Sequence, residues 1–123
     1  WKSAMHIHKE SETREDGTKV YYLHGPLFFG SVTDFNLGFS PAEDPESVVV
    51  DMKESRVWDH SGLEAIHKLG ERYHKAGKSV KLGHISSNCR ALLKKAGTMV
   101  DIQVLPDDPS YHVAQLKDGL PTD

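Results

Sequence analysis

The apolar positions of this chain fall into short runs with two different periods. Near the start, "AMHIHKES" sets Met5 and Ile7 against His6 and His8, the alternation of a half-buried strand. "EDGTK" (Glu15 to Lys19) carries an Asp-Gly turn signal. "KVYYLHG" is rich in β-branched and aromatic residues and predicts a second strand, the hairpin partner of the first. "SVTDFNLGF" opens with Ser31, has Asp34 three residues on, and predicts a helix start. "SPAEDPES" is an acidic, proline-bearing loop, and "SVVVDMK" is a continuous apolar run that predicts a central strand buried on both faces.

Helical and strand patterns alternate through the second half. "SGLEAIHKLGERYHKAG" places Leu63, Ile66, Gly70 and Tyr73 on one stripe, with Leu69 beside it and Gly77 as a C-terminal stop. "SVKLGHI" predicts a strand, "SSNCRALLKKAG" a helix ending at Gly97, and "DIQVLP" a last strand. "DPSYHVAQLKDG" begins with Asp-Pro, stops at Gly119, and predicts a final helix, with "LPTD" as a frayed tail. The resulting order is β-β-α-β-α-β-α-β-α. It implies an α/β domain with a parallel or mixed sheet and helices packed against it. No repeat, low-complexity segment or linker divides the chain.

Composition narrows the function classes. The 123 residues are 37% hydrophobic and 27% charged, the balance of one soluble globular domain. A net charge of −3 leaves no basic footprint for nucleic acid. No apolar run approaches the roughly 18 to 20 residues of a membrane span, and "WKSAMHIHKE" lacks the apolar centre of a signal peptide. Cys89 is the single cysteine, which excludes an internal disulfide and fits a reducing compartment.

No catalytic residues are assigned. Asp59, His60 and Ser61 are consecutive, so their side chains diverge, whereas nucleophile and base must converge. "GPLFFGS" (Gly25 to Ser31) has the glycine spacing of a P-loop without its lysine, and reads as a turn with Leu27, Phe28 and Phe29 packing inward. His67 and His74 share a helix face but stand about 10 Å apart along the axis, too far for one zinc. His6 and His8 share a strand face without companion ligands, so no metal or cofactor is implied. Cys89 is expected as a buried structural thiol.

"WDHSGLEAI" (Trp58 to Ile66) reads as the mouth of a helix. Ser61 is the expected N-cap, with Glu64 closing a capping box, an arrangement worth about 0.5–2 kcal/mol. The free N–H groups of Gly62, Leu63 and Glu64 form a weak anion site there. Asp59 and Glu64 oppose it, and protonated His60 assists it.

In order and spacing, the "GPLFFGS" turn, the "SVVVDM" strand and "DHSGLEAI" at the next helix start resemble a STAS domain over residues 4 to 118, with 1–3 and 119–123 as flanking ends. That resemblance implies a central mixed β-sheet with helices mainly on one side. In the family's soluble anti-sigma factor antagonists the loop resembles Asp-Ser-Ser-Gly-Leu, and a partner kinase phosphorylates the first serine. Here Asp59, Ser61, Gly62 and Leu63 match, but His60 stands at the acceptor position. "GPLFF" is more similar to the cytoplasmic C-terminal domain of SulP-type anion permeases.

The resemblance therefore implies a non-enzymatic regulatory and protein-interaction domain of a sulfate or related anion transporter. It would lie at the cytoplasmic face of the inner membrane, with no transport pathway of its own. Its partners would be the membrane domain of the same parent chain and a cytoplasmic protein. The alternatives are a soluble antagonist acting as a partner-binding switch, and an anion- or nucleotide-sensing module. The expected switch surface is Trp58, Asp59, His60 and Ser61 with Ser31, Asp34, Ser86 and Ser87 at the other helix starts.

Overall fold

The apolar run at residues 47–52 becomes the middle of a five-stranded sheet. In this computed structural model, which describes residues 6–114, 116–117 and 120–121, the elements follow in order. They are β1 (His8–Thr13), β2 (Lys19–Leu27), α1 (Val32–Asn36), β3 (Ser47–Val57), α2 (His60–Lys75), β4 (Ser79–Gly83), α3 (Ser87–Lys95), β5 (Asp101–Ile102), β6 (Leu116–Lys117) and β7 (Leu120–Pro121). Met5, and with it the start of the first expected alternation, lies outside the described residues.

The sheet is mixed, in the order β1-β2-β3-β4-β5. β1 and β2 form an antiparallel hairpin, closed where Arg14 N donates to Thr18 O at 2.8 Å and Gly17 takes a φ of 91°. β2 with β3, β3 with β4, and β4 with β5 are all parallel. Each parallel strand needs a crossover, and α1, α2 and α3 supply them. The helices therefore begin at the ends of β2, β3 and β4, on one rim of the sheet.

One face of the sheet carries the core. Val48, Val50 and Met52 from β3, Tyr21 and Leu23 from β2, and Val80 and Leu82 from β4 are buried together. They pack with Leu63, Ile66, Leu69 and Tyr73 of α2, Phe35 of α1 and Leu93 of α3. The intervening residues of β3, Val49 and Asp51, are only half-buried. The period of two thus assigns one face to the helices and leaves the other more polar.

The final helix expected over "DPSYHVAQLKDG" does not form. Residues 108–114 run without helix, and Leu116–Lys117 pairs antiparallel with Leu120–Pro121 in place of a helix end and a frayed tail. Burial explains this, since Tyr111 and Val113 point inward while His112 and Ala114 point out. Their backbone donors are also used elsewhere. Val113 N bonds Asn88 Oδ1 at 2.7 Å, and Ala114 N bonds Trp58 O at 2.9 Å. Asp108 caps no helix. Its Oδ2 accepts from Leu105 N at 3.1 Å and from Arg90 Nη1 at 3.0 Å. From Asp107 to Ala114 the chain is a strap laid across the helix-bearing rim.

A buried carboxylate ties the opposite end together. Asp44, 5% exposed, sits in the loop before β3. Its Oδ2 accepts from the Tyr21 hydroxyl at 2.6 Å and from the Tyr73 hydroxyl, and its Oδ1 meets Lys19 Nζ at 3.0 Å. Burial pushes this carboxyl upward. The two hydroxyls and Lys19 outweigh that and hold it below its ordinary value. A depressed folded pKa adds stability that is complete above the unfolded value of about 3.9 and is lost as pH falls through the folded value. Asp44→Asn should cost about 3 kcal/mol at neutral pH, measured by urea unfolding. The gap from the unaltered protein should close on acidification below pH about 4. A gap that stays constant down the acid limb would refute the ionised network.

Candidate functional site

Two turns that are far apart in sequence meet at the start of α2. The backbone joins them first, because Trp58 N donates to Leu27 O at 2.9 Å. Asp59 then joins them through its side chain. Oδ1 accepts from Gly62 N at 3.0 Å, and Oδ2 accepts from Phe29 N at 3.1 Å. Asp59 has an extended backbone (φ −147°, ψ 179°) and is the N-cap of α2. Its carboxylate also lies against the positive end of the helix dipole.

The cap is therefore two residues earlier than the sequence suggested. Ser61 lies inside the first turn, exposed, and its side chain makes no hydrogen bond among the described residues. Glu64 closes no capping box; it pairs with Lys68 one turn on, at 3.0 Å. Aspartate and serine are about equally good N-caps, so residue type alone left the register open. Packing decides it through Gly62. A Cβ there would stand 2.8 Å from Leu27 O and 3.0 Å from Val57 Cγ1, so only glycine lets the first turn settle onto the end of β2.

This register also changes the expected anion site. Gly62 N is engaged by Asp59, by carboxylate and carbonyl alike, and Leu63 N reaches Asp59 O at 3.3 Å. Leu63 is buried, and a carboxylate already occupies the place of an incoming anion. The donors of Gly62, Leu63 and Glu64 do not form an open cradle.

The expected switch residues separate into two groups. Trp58, His60 and Ser61 are exposed side by side, with Asp59 beneath them holding the turn. Ser31 and Ser86 are each only 1% exposed and belong to the interior. Ser31 Oγ donates to Pro26 O at 2.8 Å and accepts from Phe28 N at 3.1 Å, which knits the "GPLFFGS" turn. Ser86 Oγ accepts from Cys89 N at 3.0 Å and caps α3. Asp34 turns toward β1, with its Oδ2 at 3.3 Å from His6 Nδ1 and its carbonyl at 2.6 Å from Lys9 Nζ. Ser87 is exposed on the first turn of α3 but lines neither groove beside α2.

Phe29 was expected to pack inward, yet it is 74% exposed while Leu27 and Phe28 are buried. Two adjacent aromatic side chains at a turn tip cannot both enter one core. Phe28 takes the interior place, 4.8 Å ring to ring from Trp58 and 5.4 Å edge-on to Phe29. Phe29 borders a shallow groove of about 430 Å³ between α1 and α2, with Val32, Ala65 and Ser61. A second groove of the same size, lined by Leu63, His67, Leu92 and Lys95, separates α2 from α3. His60 lines both and stands on the ridge between them. Cys89 lies below, fully buried, and burial pushes its thiol up to about 11.

The fold and this rim define a mixed-sheet α/β domain with a rigidly capped, partly apolar surface at its second helix. The family model "STAS domain" matches residues 10–107, and the chain belongs to that family. It is 33% identical over 85 residues to the Bacillus subtilis (strain 168) protein named "Putative sulfate transporter YbaR", a match covering 69% of this chain and 18% of that protein. The chain thus spans less than a fifth of that relative's length. Among solved structures it is similar to an antisigma-factor antagonist STAS domain from Rhodobacter sphaeroides, with TM-score 0.57 and 30% identity over 62% of this chain and 84% of that one. It also shares the fold of part of the murine Solute Carrier 26 family member A9 anion transporter, with TM-score 0.57 and 17% identity over 77% of this chain and 19% of that one.

The cap assignment predicts an order of mutational effects. Asp59→Ala should destabilise the domain by about 1–2 kcal/mol. Ser61→Ala and Glu64→Ala should each stay within about 0.5 kcal/mol of the unaltered protein. Urea unfolding measures all three, and a larger loss at Ser61 than at Asp59 contradicts the register.

Proposed function

We propose that this chain is the regulatory and protein-interaction domain of a transporter for sulfate or a related anion, held at the cytoplasmic face of the inner membrane. The exposed Phe29 beside His60, on a turn fixed by Asp59, carries the reading. An apolar ring on a fixed turn costs little conformational entropy to dock; it borders the groove between α1 and α2, and His60 beside it lines both that groove and the one between α2 and α3. The similarity to the Bacillus subtilis relative supplies the parent class. Among the described residues no helix is long and apolar enough to cross a membrane. On this reading the transport pathway belongs to the rest of the parent protein, whose membrane domain is one partner.

No reaction is assigned to the site. The Asp59 carboxylate is spent on two backbone N–H groups and orients neither His60 nor Ser61. The similarity to the Rhodobacter sphaeroides domain favours a second reading, a soluble antagonist that binds a kinase-like partner. His60 argues against it, because a serine kinase requires a hydroxyl at that position.

Two measurements separate these readings. In the full parent protein, Phe29→Glu should alter sulfate uptake at unchanged membrane abundance by severalfold, while the exposed Glu43→Lys should not. Incubation of the domain with an anti-sigma kinase should leave it unmodified by mass spectrometry. Unchanged uptake with robust phosphorylation at Ser61 would establish the antagonist reading instead.

A further inference from the structure

His84 follows β4 with a φ of 61°, in the left-handed region that residues other than glycine enter infrequently. A residue held there depends on its surroundings to keep it. The ring of His84 is largely covered, and each of its nitrogens faces a different carboxylate. Nδ1 lies 3.0 Å from Asp51 Oδ1 on β3, and Nε2 lies 3.2 Å from Asp107 Oδ1 in the strap. Lys53 Nζ approaches the other Asp107 oxygen at 4.0 Å. Glu10, His24 and Glu54 share the same cleft on the polar face of the sheet, and Glu10 is engaged by His24 at 3.1 Å.

A neutral imidazole has one N–H and one lone pair. Whichever nitrogen kept the lone pair would point it at a carboxylate. Only the doubly protonated ring suits both contacts. The two carboxylates are not equally free to respond. Asp51 is on a central strand, and its Oδ1 also accepts from Lys53 N at 2.9 Å. Asp107 is exposed and opens the strap.

The strap leads from Asp107 to the α2 start. Asp108 holds Arg90, the Tyr111 hydroxyl accepts from Val57 N at 3.3 Å, and Ala114 N reaches Trp58 O. Val113 N bonds Asn88 Oδ1, which ties the strap to α3 beside the buried Cys89. We propose that His84 is a proton-operated clasp: with two ring protons it fastens Asp107 and the strap to the sheet, and loss of one releases Asp107 and loosens the strap over Cys89.

Cys89 is the only cysteine, so its labelling by a disulfide reagent reports strap opening. Any thiol labels faster as pH rises, so each rate is divided by that of His84→Asn at the same pH. Asparagine tolerates the left-handed backbone and has no ring to protonate. At about pH 6 the unaltered protein should label roughly threefold more slowly than His84→Asn, the scale of a partly exposed ion pair. At about pH 8 the two rates should draw together, because a ring with one proton no longer fastens both carboxylates. Asp107→Asn, a surface change, should lose the same protection at the lower pH and serves alone if His84→Asn fails to fold. Equal rates at both pH values, or an undiminished difference at both, would overturn the clasp.

Discussion

Both oxygens of the Asp59 carboxylate are committed to backbone N–H groups, one from its own helix and one from the turn after β2. That double attachment sets the register of α2, and α2 buries Leu63, Ile66, Leu69 and Tyr73 against the sheet. It also fixes the tip that carries Phe29. A glycine at position 62 is the steric condition for it, because any side chain would collide with the end of β2. Stability and surface geometry here come from the same contact, so the exposed turn is an extension of the core and not a free loop.

The parallel arrangement of β2, β3 and β4 determines where such a face can lie. Helices that follow parallel strands all start on one rim, the place where open α/β sheets gather their binding loops. The strap over residues 107–114 crosses that rim, touching the end of β3, the start of α3 and Trp58. Asp44 secures the opposite end by joining the β2 strand, the loop before β3 and the last turns of α2. The rim is thus left to present side chains while the far end closes the core.

Much of the fold was legible because apolar runs and turn residues agreed. The hairpin followed from Asp-Gly and the β-branched, aromatic run of β2, whereas the alternation at Met5 to His8 reaches only the first residue of β1; β3 followed from its valine run, α2 from its apolar stripe ending at Gly77 and α3 from its end signal at Gly97. The C-terminal segment misled because Asp-Pro and Gly119 mimic helix punctuation, whereas the buried pair Tyr111 and Val113 follows a period of two. The cap register was ambiguous between Asp59 and Ser61, and only the contact with Leu27 O resolves it. Ser31 and Ser86 looked like surface residues, because serine at a helix start does not reveal that its hydroxyl is buried under a turn. Asp44 stood in a loop that read only as acidic and proline-bearing, and its tyrosine partners lie 23 and 29 residues away in sequence. Phe29 was hidden by its own hydrophobicity.

The account turns on Phe29 and His60 being a contact face inside the parent protein. The most direct measurement places a photo-activatable amino acid at Phe29 in the full-length protein in membranes, with the same group at the exposed Glu12 of β1 as reference. The account predicts a crosslink from position 29, to the transport domain or to a bound protein, that is absent or much weaker from position 12. Equal capture from both positions, or none from position 29 in actively transporting membranes, would contradict it.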